Sequence, residues 1–401
     1  MLLSSVFVSS AYAEDTARLN KITSVDSKVL EQSLNPFIDY FEDPSGELSI
    51  DDVVGQSHLN WLSNGEATPN FGYSSSTFWF RLSFQNASSA ESFLRFLVVD
   101  YPLLDSLKFF RVENGAVTAQ YATGDKVEFN HRPIVHRSFV FPLNLEGGEQ
   151  ADVYLRVNSS GSVQLPLSIW EPQHFYQTDQ AELIRKSIFY GMLAVMVLFN
   201  LFLFFSLREA PYFYYVLFVL SFLITQAAMH GVMFQYLWPS TPNVQETAIL
   251  LAVPSCVLFA SLFSRSFLSL AELAPRFDSI FKLTGLLALL NILTVSVFSY
   301  RLLTTSAVFL VAVVCATCII VGPYLWLKGH KVARFYTVAW MCMVVTTGLL
   351  ALNKFGLVPY SFFTENSLQL GSTLEAILLS FALADRLNQE REGRLQVQKK
   401  M

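Results

Sequence analysis

Seven long apolar stretches fill the second half of the chain and limit what it can fold into. They occupy residues 188–207, 211–234, 248–264, 283–300, 302–327, 335–353 and 366–384. Crossing the hydrocarbon core of a bilayer takes about 20 apolar residues of α-helix, because each residue advances the helix by about 1.5 Å. The pattern therefore predicts an all-α bundle of seven transmembrane helices.

Basic residues in the connections predict how this bundle is oriented. If the N-terminal half lies outside, twelve Lys and Arg residues fall in cytoplasmic segments and four fall in outer segments. Cytoplasmic connections normally carry the excess of Lys and Arg. We therefore expect an outer N-terminal half and a cytoplasmic C-terminus.

Charge divides the chain into two different halves. Residues 1–186 carry a net charge of −10 and residues 187–401 a net charge of +5, which together give the formal charge of −5. Only 15% of all residues are charged, against about 25% in a typical soluble domain. The composition argues against an ordinary soluble enzyme and, without a strongly basic patch, against a nucleic-acid partner.

The acidic half has the pattern of an all-β sandwich or jelly roll. Short alternating or apolar runs recur about every ten residues, separated by turn clusters such as Glu113-Asn114-Gly115. The predicted strands cover residues 78–85, 93–99, 107–112, 137–143, 153–158 and 163–170. This half contains no cysteine, so it must fold on its own apolar core.

Two of these strands suggest a ligand-binding face. In residues 78–84, every second side chain is Phe or Leu, and these side chains face the core. Trp79 and Arg81 lie at the positions between them and so point away from the core. Tyr154 and Arg156 do the same in residues 153–158. Aromatic rings stack on sugar faces and guanidinium groups donate in a fork, so these four residues are our candidate ligand-binding platform. Alternatively, the aromatic rings pack under a loop and the arginines pair with nearby acids.

An acidic run lies earlier in the same half. Its six carboxylates fall within fourteen residues and belong to Asp39, Glu42, Asp43, Glu47, Asp51 and Asp52. Oxygen ligands of this kind suit Ca²⁺, although the spacing does not match an EF-hand. We expect either a solvated acidic loop or a Ca²⁺ site, and no other cofactor or metal.

The first residues have the pattern of a secretory signal peptide. Residues 2–8 are apolar, and Ala11-Tyr12-Ala13 forms an A-x-A cleavage signature before Glu14. A basic stretch at the very start is missing from the pattern. We predict a signal peptide over residues 1–13, which agrees with an outer N-terminal half.

Several stretches, in order along the chain, resemble bacterial seven-transmembrane receptors with diverse intracellular signalling modules. In the first half they are FWFRLSFQN (78–86), DYPLLDSLKFF (100–110), GDKVEFNHRPIVHRSFVFPL (124–143) and VYLRVNSSGSVQLPLSIW (153–170). In the second half they are FNLFLFFSLREAPYFYYVLF (199–218), FQYLWP (234–239), ARFYTVAW (333–340) and LQLGSTLEAILLSFALADR (368–386). The resemblance covers nearly everything after about residue 38.

The resemblance implies a bacterial inner-membrane sensor with an extracytoplasmic jelly-roll domain that binds carbohydrate-like or other small ligands. It also implies a cytoplasmic output of the histidine kinase or diguanylate cyclase type. We find no phospho-acceptor histidine motif, ATP-binding glycine box or GGDEF-like string in the 401 residues. We therefore expect the output to be a partner or part of a longer chain, and no catalytic residue here.

Polar residues inside the predicted spans are candidates for signal relay, because such residues are expensive in a bilayer. Glu375 lies about mid-membrane in the last span, and Asn200 and Gln226 are its possible partners. We expect these three to form a polar latch that differs between signalling states. The alternative is a static set of hydrogen bonds between helices.

The predicted organisation follows from these observations. Residues 1–13 form the signal peptide, 14–182 the extracytoplasmic sensing domain, 183–387 the transmembrane domain and 388–401 the start of a cytoplasmic signalling helix. That helix could join an output module or a second copy of the chain in a homodimer. We predict a receptor whose partners are an extracytoplasmic small ligand, the bilayer and an output protein. The alternative is a secondary transporter with an accessory periplasmic binding domain.

Overall fold

The computed structural model describes residues 22–54, 59–354, 363 and 366–400, with the backbone alone for 350–354 and 388–400. The predicted signal peptide lies outside the described residues. The chain forms two compact units. One holds the chain up to Ala181 together with Ala228–Gln245, and the other holds Glu182–Ala227 and the chain from Glu246 onward.

The first unit is a β-sandwich. Its strands are β1 (Ile22–Val25), β2 (Glu31–Ser33), β3 (Asp39–Asp43), β4 (Leu62–Ser63), β5 (Asn70–Tyr73), β6 (Thr77–Asn86), β7 (Phe93–Val99), β8 (Ser106–Glu113), β9 (Ala116–Thr123), β10 (Phe139–Leu145), β11 (Gln150–Asn158), β12 (Ser162–Gln164) and β13 (Leu167–Trp170). A seven-stranded sheet runs β4-β3-β6-β11-β8-β9, with β1 parallel to the end of β6. A second sheet runs β10-β7-β13-β2, and β12 pairs with β5.

The sandwich core lies between the two larger sheets. The side chains of Phe78, Phe80, Leu82 and Phe84 from β6 join those of Val153, Leu155 and Val157 from β11 in one buried cluster. Phe139 and Phe141 of β10 and Leu97 of β7 complete it from the other sheet. The predicted inward faces of β6 and β11 are therefore confirmed, as is the β-sandwich fold class.

The predicted strand over residues 163–170 is wrong in one respect, because the structure has two strands there. β12 pairs with β5, whereas β13 pairs with β7 and β2. Leu165 and Pro166 lie between them. Proline has no backbone N–H to donate to a sheet, so the chain changes partner at this point.

The second unit is helical. Counting through the described residues, the helices of the chain are α1 (Ile50–Val53), α2 (Pro172–Leu207), α3 (Ala210–Met229), α4 (Val232–Tyr236), α5 (Pro242–Phe267), α6 (Leu270–Leu273), α7 (Pro275–Leu293), α8 (Tyr300–Leu327), α9 (Ala333–Lys354) and α10 (Ser367–Lys400). The seven long ones, α2, α3, α5, α7, α8, α9 and α10, overlap the seven predicted spans. The bounds predicted for the fourth span, residues 283–300, are wrong, because α7 begins at Pro275, ahead of the apolar stretch, and ends at Leu293. Among the described residues, five of them meet a length and hydropathy criterion for a membrane span.

The second predicted span ends earlier than the sequence suggested. Helix α3 stops at Met229, and Gly231 adopts a φ of 71° before the short helix α4. A left-handed residue after a helix is a common helix stop, and glycine adopts it without strain. Residues up to Gln245 then belong to the β-sandwich unit.

Close approaches of helices in the bundle use small residues. A Cβ atom at Gly322 of α8 would lie 2.8 Å from Oγ1 of Thr337 on α9. A Cβ atom at Gly371 of α10 would overlap the side chain of Thr346, also on α9. Small residues let helix backbones approach each other in membranes, so these glycines fix how α9 packs between its neighbours.

Candidate functional site

The four residues of the predicted platform are neighbours in the large sheet. Strands β6 and β11 are antiparallel, and their register sets Arg81 opposite Tyr154 and Trp79 opposite Arg156. Side chains on directly opposed residues of one sheet face contact each other. The structure therefore brings together all four side chains on the outer face of this sheet.

That face is not open, which corrects the expectation of an exposed platform. Trp79 is 0% exposed and Tyr154 5% exposed. They form a second apolar cluster with Phe41, Val53, Phe110 and Val112, against which Leu48, Ile50, Val54, Leu59 and Trp61 also pack. The alternation of apolar and polar residues along a strand shows which side chains share a face of the sheet. It does not show whether another segment of the chain covers the outer face.

The two arginines lie at the edge of this cluster. Arg81 forms an ion pair with Asp39 at 3.0 Å, and its guanidinium lies 4.6 Å from the centre of the Trp61 ring. Arg156 donates to the backbone carbonyl of Gly46 at 2.6 Å. The alternative prediction was that the aromatic rings pack under a loop and the arginines pair with acids. It describes the environments of Trp79, Tyr154 and Arg81, whereas Arg156 binds a backbone carbonyl and not an acid.

Two features of the cluster bear on ligand binding. Among the described residues, the indole Nε1 of Trp79 is buried without a hydrogen-bond partner. The side chains of Trp61, Arg81 and Arg156 are half-buried and so reach the surface. A ligand on this face would contact these three side chains, with the rings of Trp79 and Tyr154 beneath them. Ligand binding by the four predicted residues stays a prediction.

The acidic run serves local structure. Asp43 accepts hydrogen bonds from the backbone N–H groups of Ser45, Gly46 and Leu48. Burial raises the pKa of Asp43, but these bonds and one from the Ser45 hydroxyl together hold it below its ordinary value. Asp52 forms a capping box with Ser49 at the start of α1. In the described part of the chain, no group of three or more His, Cys, Asp or Glu side chains is arranged to hold a metal ion, and Ca²⁺ binding stays a prediction.

A second feature of the β-sandwich unit is the segment Ala228–Gln245, which runs from the last residues of α3 to the first residues of α5 and which we call the connecting segment. The Phe234 ring meets the Phe129 ring edge-on at 5.4 Å. The N–H of Phe129 donates to the carbonyl of Pro239 at 2.8 Å. The chain between two membrane helices is thus packed against the sensing domain, which the sequence did not suggest.

Arg132 holds this contact together. Its guanidinium is 4.4 Å from the centre of the Phe129 ring, 4.3 Å from that of Phe139 and 5.8 Å from that of Phe234. It donates to the carbonyls of His136 and Arg137. Burial lowers the pKa of Arg132 to about 9, while the charge of Asp125 acts in the opposite direction. A cation among aromatic faces gains electrostatic attraction that partly offsets its burial.

The beginning of α2 carries a third polar cluster. Asp179 accepts from Nε2 of His136 at 2.8 Å and pairs with Arg137 at 2.6 Å. Burial raises the pKa of Asp179, but the hydrogen bond from His136 and the charge of Arg137 hold it below its ordinary value. Phe175, one helical turn earlier, packs on Phe96 and Val140 of the smaller sheet. The first turns of α2 are therefore anchored to the sandwich by both charge and apolar contact.

The three predicted relay residues are all buried in the helical bundle. Asn200 is 0%, Glu375 4% and Gln226 6% exposed. Asn200 donates to the hydroxyl of Ser380 on α10 at 3.0 Å. Within the described residues, no hydrogen bond joins Asn200, Gln226 and Glu375 to one another, and Oε1 of Glu375 and Nε2 of Gln226 have no partner. Asn200 does connect α2 to the last helix, but through Ser380 and not through the predicted partner Glu375. A latch that differs between signalling states stays a prediction.

Two tyrosines that the sequence analysis missed also reach the last helix. Tyr212 and Tyr215 of α3 donate to the carbonyls of Leu383 and Ala376, at 3.1 Å and 2.6 Å. Arg386 donates to the carbonyls of Ser266 and Phe267, both at 2.8 Å. A buried tyrosine hydroxyl needs a hydrogen-bond partner, so tyrosines in an apolar span were a signal available in the sequence. Polar bonds thus join α10 to α2, α3 and α5, and an ion pair between Arg334 and Asp385 joins it to α9.

Comparison with known families agrees with this architecture. The model described as "7TM diverse intracellular signalling" matches residues 182–386, and the model described as "7TMR-DISM extracellular 2" matches residues 35–171. No curated protein matches the chain. The first family match covers half of the chain and the second covers most of the β-sandwich. The chain belongs to the family of seven-transmembrane receptors with diverse intracellular signalling modules.

Proposed function

We propose that this receptor binds a carbohydrate-like or other small ligand with its extracytoplasmic β-sandwich and passes the signal to a cytoplasmic histidine kinase or diguanylate cyclase. The receptor would lie in a bacterial inner membrane with its C-terminus in the cytoplasm. The output enzyme would be a separate partner or part of a longer chain. This chain itself would carry no catalytic step.

The observation that carries this proposal is the set of bonds on the last helix. Asn200, Tyr212 and Tyr215 from α2 and α3 all bind α10, and α10 remains helical to Lys400. A shift of α2 or α3 would change these bonds, and a continuous helix can carry a rotation or translation along its length. Helix α2 begins in the sandwich unit, and α3 leads into the connecting segment, so both helices are tied to the sensing domain through the chain.

The aromatic and arginine cluster on the large sheet supports a sugar-like ligand. Trp61, Arg81 and Arg156 offer a ring face and hydrogen-bond donors at the surface, and both arginines are held in place by Asp39 and the Gly46 carbonyl. Preorganised donors lose less entropy on binding. Trp79 and Tyr154 would act as positioning residues beneath the ligand.

Calorimetry with maltose, cellobiose and chitobiose on the purified full chain tests the ligand. We expect at least one of these sugars to bind, and Arg81→Gln and Arg156→Gln to weaken its binding about tenfold or more, as expected for a hydrogen bond from a charged donor. Arg111→Gln is the matched control, because Arg111 lies on β8 of the same sheet and pairs with Glu149 instead. No binding of any of the three sugars, or equal loss in the control, would contradict this site.

The transporter alternative receives little support from the helices. Helices α5 and α8 continue through Pro254 and Pro323, whereas transporters often use interrupted helices at their binding site. Liposomes containing the purified chain and the sugar found by calorimetry separate the two functions. A receptor should show no uptake above that of empty liposomes, and uptake would contradict the receptor proposal.

A homodimer through α10 is the second part of the signalling proposal. Cysteine substitution at Leu387 and Leu395, followed by oxidation in native membranes, should give crosslinked dimers whose yield changes with ligand. Substitution at Leu302, an exposed residue at the beginning of α8, controls for random collision. Absence of crosslinks at both test positions, with and without ligand, would contradict a dimeric relay.

A further inference from the structure

One loop of the β-sandwich unit exposes an apolar side chain and buries its charged ones. In residues 132–137, which we call the arginine loop, Val135 is 63% exposed. Its neighbours Arg132, His136 and Arg137 are all buried. A loop that faces water is expected to show the opposite, because burying a cation is costly and an apolar side chain gains by burial. The arginine loop therefore has the side-chain arrangement expected beside an apolar environment.

Hydrogen bonds and ion pairs hold the polar groups of the arginine loop inward. The guanidinium of Arg132 donates to the carbonyls of His136 and Arg137, at 2.8 Å and 2.6 Å, and so closes the loop on itself. The side chains of His136 and Arg137 both bind the carboxylate of Asp179 on α2. These contacts fix the backbone on both sides of Val135. The exposure of the Val135 side chain is therefore built into the loop.

The arginine loop lies against the connecting segment. The Arg132 guanidinium is 5.8 Å from the centre of the Phe234 ring. A Cβ atom at Gly231 would lie 3.4 Å from the carbonyl oxygen of Arg137 and 3.1 Å from Cβ of Pro102. Glycine adopts the φ of 71° found here without strain and lets the two stretches of backbone approach each other. The loop that exposes Val135 is therefore packed on the chain that runs between two membrane helices.

The connecting segment has to stay close to the membrane surface. It joins α3, which ends at Met229, to α5, which begins at Pro242, and both helices are long and apolar enough to span a membrane. Within this short connection Tyr236 is 61% exposed and Leu237 63% exposed. Tyrosine is enriched where acyl chains meet lipid headgroups. The connection therefore presents the side chains expected at the membrane interface.

We propose that the arginine loop and the connecting segment form a surface of the sensing domain that binds the outer leaflet of the bilayer. The side chains of Val135, Tyr236 and Leu237 would enter the lipid headgroup region. A phospholipid surface is the partner that fits, because two of these residues lie in a connection between membrane spans and the third lies in a loop packed on that connection. The arginine loop also binds Asp179, so the lipid contact would hold the beginning of α2 at the membrane surface. This surface is independent of the proposed sugar site on the large sheet.

Fluorescence quenching on the full chain in phosphatidylcholine nanodiscs tests the proposal. Val135→Cys, Leu237→Cys and Val117→Cys are each labelled with bimane, and the unsubstituted chain, labelled alongside, gives the background from the native cysteines. The quenchers are phosphatidylcholine brominated near the headgroup end of its acyl chains, and iodide in the water. We expect loss of fluorescence with brominated lipid at positions 135 and 237, and with iodide at 117. Val117 is the matched control, because it is an exposed valine on the edge strand β9 of the same sandwich.

Three other outcomes would overturn the proposal, each for a different reason. Quenching of the label at Val135 by iodide alone, as at Val117, would show that the arginine loop faces water. Protection of that label from both quenchers would show that protein, such as a second copy of the chain, covers the loop in place of lipid. Failure of brominated lipid to quench at Leu237 would show that the connecting segment itself does not lie at the bilayer surface. Thermal unfolding of each labelled variant, which should match that of the parent protein, confirms that the quenching reports on the folded chain.

Discussion

Phenylalanine is used in opposite ways in the β-sandwich and in the helical bundle. Phe80 of β6 is 0% exposed in the sandwich core, whereas Phe202 and Phe205 of α2 are 68% and 69% exposed. Asn200, a few residues earlier in α2, is fully buried. Water surrounds the sandwich and drives apolar groups inward. In a bilayer the surroundings are as apolar as leucine, so packing and hydrogen bonds decide what lies inside.

Polar side chains show the same contrast. In the sandwich, buried or half-buried carboxylates pair with arginines, as in Arg81 with Asp39 and Arg137 with Asp179. In the bundle interior, hydroxyl and amide groups bind other helices without an ion pair, as in Tyr336 with Ser264 and Asn200 with Ser380. Ion pairs thus anchor the sandwich unit, whereas the helices are connected by neutral hydrogen bonds in the bundle interior and also by ion pairs such as Arg265 of α5 with Asp278 of α7.

The largest effect we predict tests the different roles of phenylalanine in the β-sandwich and in the helical bundle. Phe80→Ala should destabilise the β-sandwich by about 3–5 kcal/mol, because it removes a large core side chain and leaves a cavity. Phe205→Ala in α2 should change stability by no more than about 0.5 kcal/mol, because that ring faces outward. Thermal unfolding of each full-length variant in lipid nanodiscs, followed by tryptophan fluorescence, measures both. Comparable losses would refute the assignment of α2's exposed face to lipid.

A smaller effect tests the charged anchor at the start of α2. Asp179→Asn should cost about 2 kcal/mol at pH 7, since it removes hydrogen bonds to charged or buried donors. The pKa of Asp179 is lowered in the folded state from its ordinary value of 3.8. The ionised Asp179 therefore contributes fully to the free energy of unfolding above that pH. This contribution is lost as the pH falls through the lower pKa of the folded state.

The pH dependence of stability shows whether the charge on Asp179 is responsible. Below about pH 4 the parent protein should lose stability faster than Asp179→Asn, so the two unfolding curves should converge towards acid. Asp51→Asn, on the exposed first turn of α1, should follow the parent protein at every pH. A constant offset between the parent and Asp179→Asn from pH 7 to pH 3 would show that the charge on Asp179 contributes nothing.

Much of the fold was predictable because two periodicities are strong in this sequence. Alternation in β6 and β11 identified their core faces, and the seven apolar stretches identified all seven long helices among the described residues. Strand β9 was missed because it is an edge strand whose side chains are mostly exposed, so burial imposes no alternating pattern on it. Strands β2, β4 and β5 have two to four residues, too few to show a period.

The candidate sites were less predictable because they depend on contacts between distant residues. The cover over Trp79 comes from residues 48–61, and a strand's own pattern cannot reveal it. The rotation of each helix about its axis decides whether Glu375 or Ser380 contacts Asn200. An apolar stretch with few polar residues does not determine that rotation. The contact of Phe234 with Arg132 likewise joins a membrane connection to a β-domain loop across about a hundred residues.

The smallest predicted effect sharpens the contrast between charged and neutral anchors. A double-mutant cycle with Asn200→Ala and Ser380→Ala should give a coupling energy of about 0.6 kcal/mol, the average for hydrogen bonds between membrane helices. The value is small because an unfolded helix in the bilayer also finds partners for its polar groups. Ser221→Ala is the control, because the Ser221 hydroxyl binds the carbonyl of Leu217 in its own helix at 2.8 Å. It should show no coupling to Asn200. A coupling energy of zero between Asn200 and Ser380 would mean that this bond does not hold α10, and that the tyrosines of α3 alone connect the last helix to the helices that lead from the sensing domain.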